Sequence, residues 1–229
     1  MERVLEEEWL DVLPPHDARA ARSRKDLRRL NRIMNHAGII SGLLERLAPH
    51  SGPRTLADLG AGDGSFALNL AQRLRSRFPI SKLTLVDRNA VVTAETTAGF
   101  AAAGTGLDVV RADVFSWLRQ AEPVTVIVAN LFLHHFPAAA LQELFTLLAR
   151  RARIIVACEP RRCWMGLAAT CGLGLIGCGA VTRHDARLSV RAGFTGRELS
   201  AQWPSQNGWD LLETRRGPFS HAFRALHVP

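Results

Sequence analysis

The run Asp58-Leu59-Gly60-Ala61-Gly62-Asp63-Gly64 lies between an apolar stretch and a helical one. Glycines let a backbone turn tightly and let a ligand approach without a Cβ in the way. A loop that feeds a helix start also presents free N–H groups. The acid ahead of the glycines decides the ligand type. A carboxylate at Asp58 suits a ligand bearing an ammonium and a sulfonium, and suits a pyrophosphate poorly. The spacing is GxGxG, whereas the dinucleotide pattern GxGxxG would place its third glycine at Ser65. Asp87 closes the run KLTLVD, Asp113 closes VVRAD, and Asn130 closes VTVIVAN. An acid at the end of a second strand can accept both hydroxyls of a ribose. One beside an adenine edge can accept from its amino group. Each Asp alone reads equally well as a helix N-cap. Their occurrence in order, at successive strand ends, points to one shared ligand.

A second group of residues suits proton transfer. The run Asn130-Leu131-Phe132-Leu133-His134-His135-Phe136-Pro137 holds two adjacent histidines, and Arg183-His184-Asp185 holds a third beside an acid. Histidine titrates near neutrality and serves as a base toward a hydroxyl acceptor. His135 is the first candidate, with His134 and His184 beside it. A carboxylate next to a histidine can orient it, but sequence neighbours do not share a helix face. Asp185 reads equally as the cap of a helix through Ala186–Val190. Glu159, at the end of RIIVACEP, is a further mouth residue, or a salt-bridge partner of the nearby arginines. Asn31, Asn35 and His36 either reach the pocket from an N-terminal helix or satisfy loop backbone.

These residues need a scaffold that brings strand ends together. From Thr55 onward, the runs TLADLG, KLTLVD, LDVVRAD, VTVIVAN and RIIVACEP alternate with helical stretches. Near-continuous apolar strands are expected of a parallel sheet covered on both faces. WDLLETRRG and SHAFRALHV form a final hairpin around GPF. Residues 1–50 read as an N-terminal helical cap, and PHSGP (Pro49–Pro53) breaks them from a domain over 51–229. Within that domain, an insertion spans about 161–208. Cys163–Thr182 carries no charge. It reaches the length of a membrane span, but its glycines weaken a helix. We expect a packed helix pair or an apolar lid there, and no stable span.

The series DLGAGDG, VD, AD, NLFLHHF and CEP resembles the motifs of class I S-adenosylmethionine (SAM)-dependent methyltransferases. The double histidine resembles small-molecule enzymes of the quinone-biosynthesis kind. The resemblance covers about residues 52–160. It implies an α/β, doubly wound, seven-stranded and mostly parallel sheet, its last strand antiparallel, with helices on both faces and SAM as cofactor. It implies that Asp58, Gly60 and Gly62 meet the methionine part, Asp87 the ribose, and Asp113 the adenine. Ala61, Arg88, Val114 and Asn130 join that cofactor set. Base-modifying enzymes usually carry a (D/N/S)PP(Y/F/W) motif where this chain has Asn130-Leu131-Phe132. The expected acceptor is therefore a small apolar or aromatic hydroxyl compound, with O-methylation favoured over C-methylation. RNA or protein methylation, and a non-catalytic SAM-fold binding protein, are the alternatives.

Composition narrows the partners. The net charge is +8, but 27 of the 29 basic residues are arginine and they are spread along the chain. With no tyrosine and no aromatic strand to stack bases, nucleic acid is not the expected partner. The densest basic run, Arg22–Arg32, is expected to be a solvated helix face. Cys158, Cys163, Cys171 and Cys178 stand 5, 8 and 7 apart, which fits no zinc pattern. We expect them reduced, and no metal. The run MERVLEEEWLDV lacks a basic segment followed by an apolar one, so a cytoplasmic chain is expected; a homodimer is kept as a separate partner reading.

Overall fold

In the computed structural model, residues 1–14, 16–47, 54–204 and 207–228 are described. The PHSGP break thus lies outside the described residues. Helices α1 (Trp9–Val12), α2 (Ala18–Ile33) and α3 (His36–Glu45) precede strand β1 (Arg54–Leu59). Then follow α4 (Ser65–Leu74), β2 (Ile80–Asp87), α5 (Ala94–Ala102), β3 (Gly106–Arg111), α6 (Val114–Gln120), β4 (Val124–Asn130), α7 (Ala138–Arg151) and β5 (Ala152–Pro160). A 3₁₀ turn, Leu133–His135, sits between β4 and α7. Helices α8 (Trp164–Cys171), α9 (Ala180–Ala192) and α10 (Glu198–Ala201) lead to β6 (Trp209–Arg216) and β7 (Ser220–His227).

The strands form one seven-stranded sheet in the order β3-β2-β1-β4-β5-β7-β6. β1 to β5 run parallel, and β7 is antiparallel to both β5 and β6. The apolar runs are continuous because alternate side chains bury on opposite faces. Leu56, Val126 and Val128 enter one core, with α3 and α4. Ala57, Ile127 and Ala129 enter the other, with α6 and α7. Chain order reverses between β1 and β4, and α/β sheets bind ligands in the crevice at such a switch point. That places the ends of β1, β2 and β4 around one site.

The N-terminal helices belong to this architecture. Ile40, Leu43 and Leu44 of α3 are fully buried in the first core. His36, at the start of α3, ties that helix to the sheet. Its Nδ1 donates to Asn130 Oδ1 at 2.8 Å, and its Nε2 accepts from Ser220 Oγ at 3.0 Å. This bonding suits a neutral ring, and burial pushes the His36 pKa down to about 4.

The insertion contains a helix pair, α8 lying against α9 through Gly166 and Val190. α8 and the following turn expose Trp164, Met165, Leu175 and Ile176, so the segment is not wholly packed. None of residues 163–182 lines the cavity described below, whereas Ser189 of α9 does. Its glycines shorten α8 to eight residues before the chain turns. Among the described residues, no helix is long and apolar enough to cross a membrane. Asp185 is also placed differently. It sits inside α9 and caps α1 from across the fold, accepting from the backbone N–H groups of Trp9 and Leu10 at 2.9 and 3.0 Å.

His36 makes stability depend on pH. The unfolded ring takes up a proton as pH falls below about 6.5, while the folded ring resists protonation until about pH 4. The stabilising contribution is present above the unfolded pKa and is lost as pH falls toward the folded one. Urea unfolding should therefore show about 3 kcal/mol lost from this group between about pH 7 and pH 4. His36→Gln should lose correspondingly less over the same range.

Candidate active site

The glycine loop folds as its composition requires. Gly60, Gly62 and Gly64 have φ of +70°, +56° and +73°, a region where a side chain is strained. A Cβ on Gly60 would also lie 2.4 Å from the Phe132 ring, while one on Gly62 would meet nothing within 4 Å. The loop is pinned from the next strand. Asp87 Oδ2 accepts from the Gly62 N–H at 2.8 Å, and Oδ1 accepts from the Asn89 N–H at 2.6 Å. Asp58 is almost wholly buried and has no hydrogen-bond partner among the described residues. Burial, and then the charge of Asp87, raise its pKa well above the usual carboxylate range. An unpartnered buried carboxylate is costly, and a cationic ligand beside it would relieve that cost.

One cavity of about 830 Å³ joins these residues to the histidines. Its lining includes Asp58, Gly60, Ala61, Gly62, Asp87, Arg88, Asp113, Val114 and Asn130, the whole set expected for the cofactor. Two of them also have structural roles. Asp113 caps α6 through Oδ1, accepting from Phe115 N at 3.0 Å and Ser116 N at 3.2 Å, and its Oδ2 pairs with Arg88 at 2.6 Å. Asn130 accepts from His36 and donates to Asn31 Oδ1 at 3.3 Å. The backbone after Asn130 is strained, because Leu131 has φ of +54°. Non-glycine residues in that region cost about 1–3 kcal/mol and gather at functional sites.

Glu159 builds the far end of the cavity. It is fully buried at the end of β5. Its carboxylate accepts from the backbone N–H of Phe132 (3.0 Å), Leu133 (2.9 Å) and His134 (3.3 Å), and from His134 Nδ1 (2.7 Å). His134 is thereby held with Nε2 toward Glu8 Oε1, 3.4 Å away. Burial opposes a charged His134, but the bonds to Glu159 and Glu8 outweigh it and push its pKa up to about 9. His135 donates Nδ1–H to the Phe132 carbonyl at 3.0 Å. That leaves its Nε2 facing Glu8 Oε2 and Asp11 Oδ2, each 3.6 Å away.

His134 and His135 therefore reach the cavity, and His184 does not. His184 stacks on Trp9, with ring centroids 3.8 Å apart, and bonds Asp185 at 2.9 Å. It is a packing residue of the joint between α1 and α9. The arginine run is not simply a solvated face either. Arg24 and Arg28 of α2 line the cavity, and Arg28 pairs with Asp63 of the glycine loop.

Glu8 and Asp11 escaped the sequence reading. They lie on an N-terminal segment that the fold stitches across the site. Arg3 donates to the carbonyls of Ala192, His134 and Phe136 at 2.7, 3.0 and 2.9 Å. Val4 N–H bonds Arg191 O at 3.2 Å, and Glu6 pairs with Arg191. Burial tends to raise the Glu8 pKa, but the bonds to His134 and His135 bring it well below the usual carboxylate range. Burial raises that of Asp11. The only local trace was a run of acids, Glu6-Glu7-Glu8, with no spacing that names a site.

Known proteins share this fold. Residues 56–153 match the family model described as "Methyltransferase domain". No curated protein matches the chain. Among solved structures it is similar to an O-methyltransferase family protein from Burkholderia thailandensis, at 17% identity and TM-score 0.61, over 93% of this chain and 61% of that one. It is also similar to the plantazolicin methyltransferase BpumL in complex with SAH, at 14% identity and TM-score 0.64, over 93% and 91%. A third is magnesium protoporphyrin IX methyltransferase from Synechocystis PCC 6803 with bound SAH, at 14% identity and TM-score 0.52, over 95% and 90%. At these identities the likeness is one of fold. The chain spans 61% of the length of the Burkholderia protein. Residues 56–153 thus match a methyltransferase domain, and the chain has the α/β fold of these methyltransferase structures.

Glu159→Gln should show how strongly the far end depends on one carboxylate. An amide N–H cannot accept from His134, so a buried donor loses its partner. We expect about 3 kcal/mol lost in chemical unfolding, against less than about 0.5 kcal/mol for an exposed control such as Glu143→Gln.

Proposed function

We propose that the chain transfers the methyl group of SAM to an oxygen of a small, apolar or aromatic hydroxyl compound. The observation that carries this reading is the shared cavity. The glycine loop stands at one end and the His134–His135 pair, with Glu8 and Asp11, at the other. Its volume of about 830 Å³ lies within the roughly 300–1,000 Å³ usual for small-molecule sites. Residues of the N-terminal segment, from Leu5 to Leu13, line it as well. That favours a small acceptor over an RNA or a protein.

SAM, when bound, supplies a methyl group on a sulfonium. Asp58 faces its cationic methionine part and Asp87 its ribose. The N–H groups of the glycine loop, with Arg88, Asp113 and Val114, hold the remainder. Phe132, Phe136 and Leu131 give the acceptor an apolar wall. His135, oriented by the Phe132 carbonyl, takes the hydroxyl proton through Nε2, and Glu8 and Asp11 stabilise the imidazolium that forms. An oxygen acceptor is favoured over a carbon one because this end of the cavity is built around proton acceptors.

Calorimetric titration tests the cofactor end. SAM or S-adenosylhomocysteine should bind at micromolar concentration, and Asp87→Ala should weaken either at least tenfold, about 1.4 kcal/mol. Binding unchanged by Asp87→Ala would remove the ribose assignment. The acceptor end is tested by turnover of phenolic compounds at saturating SAM. His135→Ala should slow it at least tenfold, while His184→Ala leaves it within twofold. Equal effects of the two changes would refute the base assignment.

A further inference from the structure

We infer that Glu8, His134 and His135 form a site for a first-row divalent metal ion, with its open position turned into the cavity. The sequence reading sought metal ligands among the cysteines and expected none. The fold brings a different set together. The ligand atoms of Glu8, His134 and His135 all lie within 4.8 Å of one another.

The spacing fits a shared ion. Glu8 Oε1 stands 3.4 Å from His134 Nε2, and Glu8 Oε2 stands 3.6 Å from His135 Nε2. A separation of 3.6 Å is too long for a hydrogen bond. Ligand atoms bound tetrahedrally at about 2.0–2.1 Å sit about 3.3–3.4 Å apart. Small side-chain adjustments would bring both pairs to that distance. Asp11 Oδ2, also 3.6 Å from His135 Nε2, offers a further oxygen.

The orientation of the rings fits as well. A metal-binding imidazole usually donates its other N–H to a carboxylate or carbonyl, which sets the tautomer and aims the free nitrogen. His134 does this through Nδ1 to Glu159 at 2.7 Å, and His135 through Nδ1 to the Phe132 carbonyl at 3.0 Å. Both Nε2 atoms then point at the same carboxylate. Three acids, Glu8, Asp11 and Glu159, surround two histidines, so the charge favours a cation. Two histidines and one carboxylate with an open position form a ligand set for zinc and for ferrous iron.

The inference rests on reading this end of the cavity as the acceptor end. With the ion bound, His135 Nε2 would be a ligand in place of a free base, and the open position would take an oxygen of the acceptor, orienting it and lowering the pKa of its hydroxyl. It would also favour acceptors with a second oxygen close to the first.

Metal binding can be read without SAM, acceptor or turnover. The purified full chain, stripped with chelator, is titrated with Co²⁺ under visible absorption and with Zn²⁺ by calorimetry. We expect one equivalent bound, ligand-field bands from Co²⁺, and at least tenfold weaker binding in both Glu8→Gln and His135→Ala. These two variants avoid the fully buried His134, and thermal unfolding confirms that they fold. No saturable binding, or binding unchanged in both variants, overturns the metal site. Failure here with His135-dependent turnover intact leaves the proposed transferase reading standing. Metal binding with turnover indifferent to His135→Ala would separate the two in the opposite sense.

Discussion

A fully buried carboxylate, Glu159, must find its hydrogen bonds inside the protein. Desolvating a charge at the end of a central strand is expensive unless several donors converge on it. Three consecutive backbone N–H groups, Phe132 to His134, and one imidazole N–H supply them. That demand shapes the loop after β4. It winds the chain into a 3₁₀ turn, accompanies the positive φ at Leu131, and aims His134 toward Glu8. The second histidine follows, because the same turn puts the Phe132 carbonyl within reach of its Nδ1.

The same logic operates at the other end of the cavity with the opposite sign. Asp87 spends its two oxygens on the backbone of neighbouring loops. Asp58 has no donor among the described residues and is buried beside Asp87's charge. One acid thus sets the shape of the glycine loop, and the other leaves it electrostatically short of a cation. A methyl donor that carries an ammonium and a sulfonium answers that deficit where a pyrophosphate would deepen it.

The N-terminal segment completes the site from outside the sheet. Arg3 bonds carbonyls of the histidine turn, Asp185 caps α1, and Trp9 stacks on His184. These contacts bring Glu8 and Asp11 over the histidines. The two acids thus depend on α9 for their placement, and Ser189 of that helix also lines the cavity, which gives the insertion after β5 a structural role at the site.

Much of this was legible in the chain. The switch of apolar periodicity marks each strand and helix. The glycine positions specify a left-handed loop, and acids at successive strand ends must meet at the switch point of a doubly wound sheet. Local pattern and fold agree there because those residues act through their own backbone. His184, Glu8 and Asp11 differ. His184 and Asp185 do pair, as their adjacency suggested, but away from the cavity, where Asp185 caps α1 and His184 packs on Trp9. Glu8 lies 126 residues from His134, and no local spacing records such a contact. The sequence alone therefore determined the sheet and the cofactor loop, since each follows from short-range pattern and strand order. Only tertiary packing decided which acids face the histidines, because a buried charge takes whichever partner the fold brings within reach.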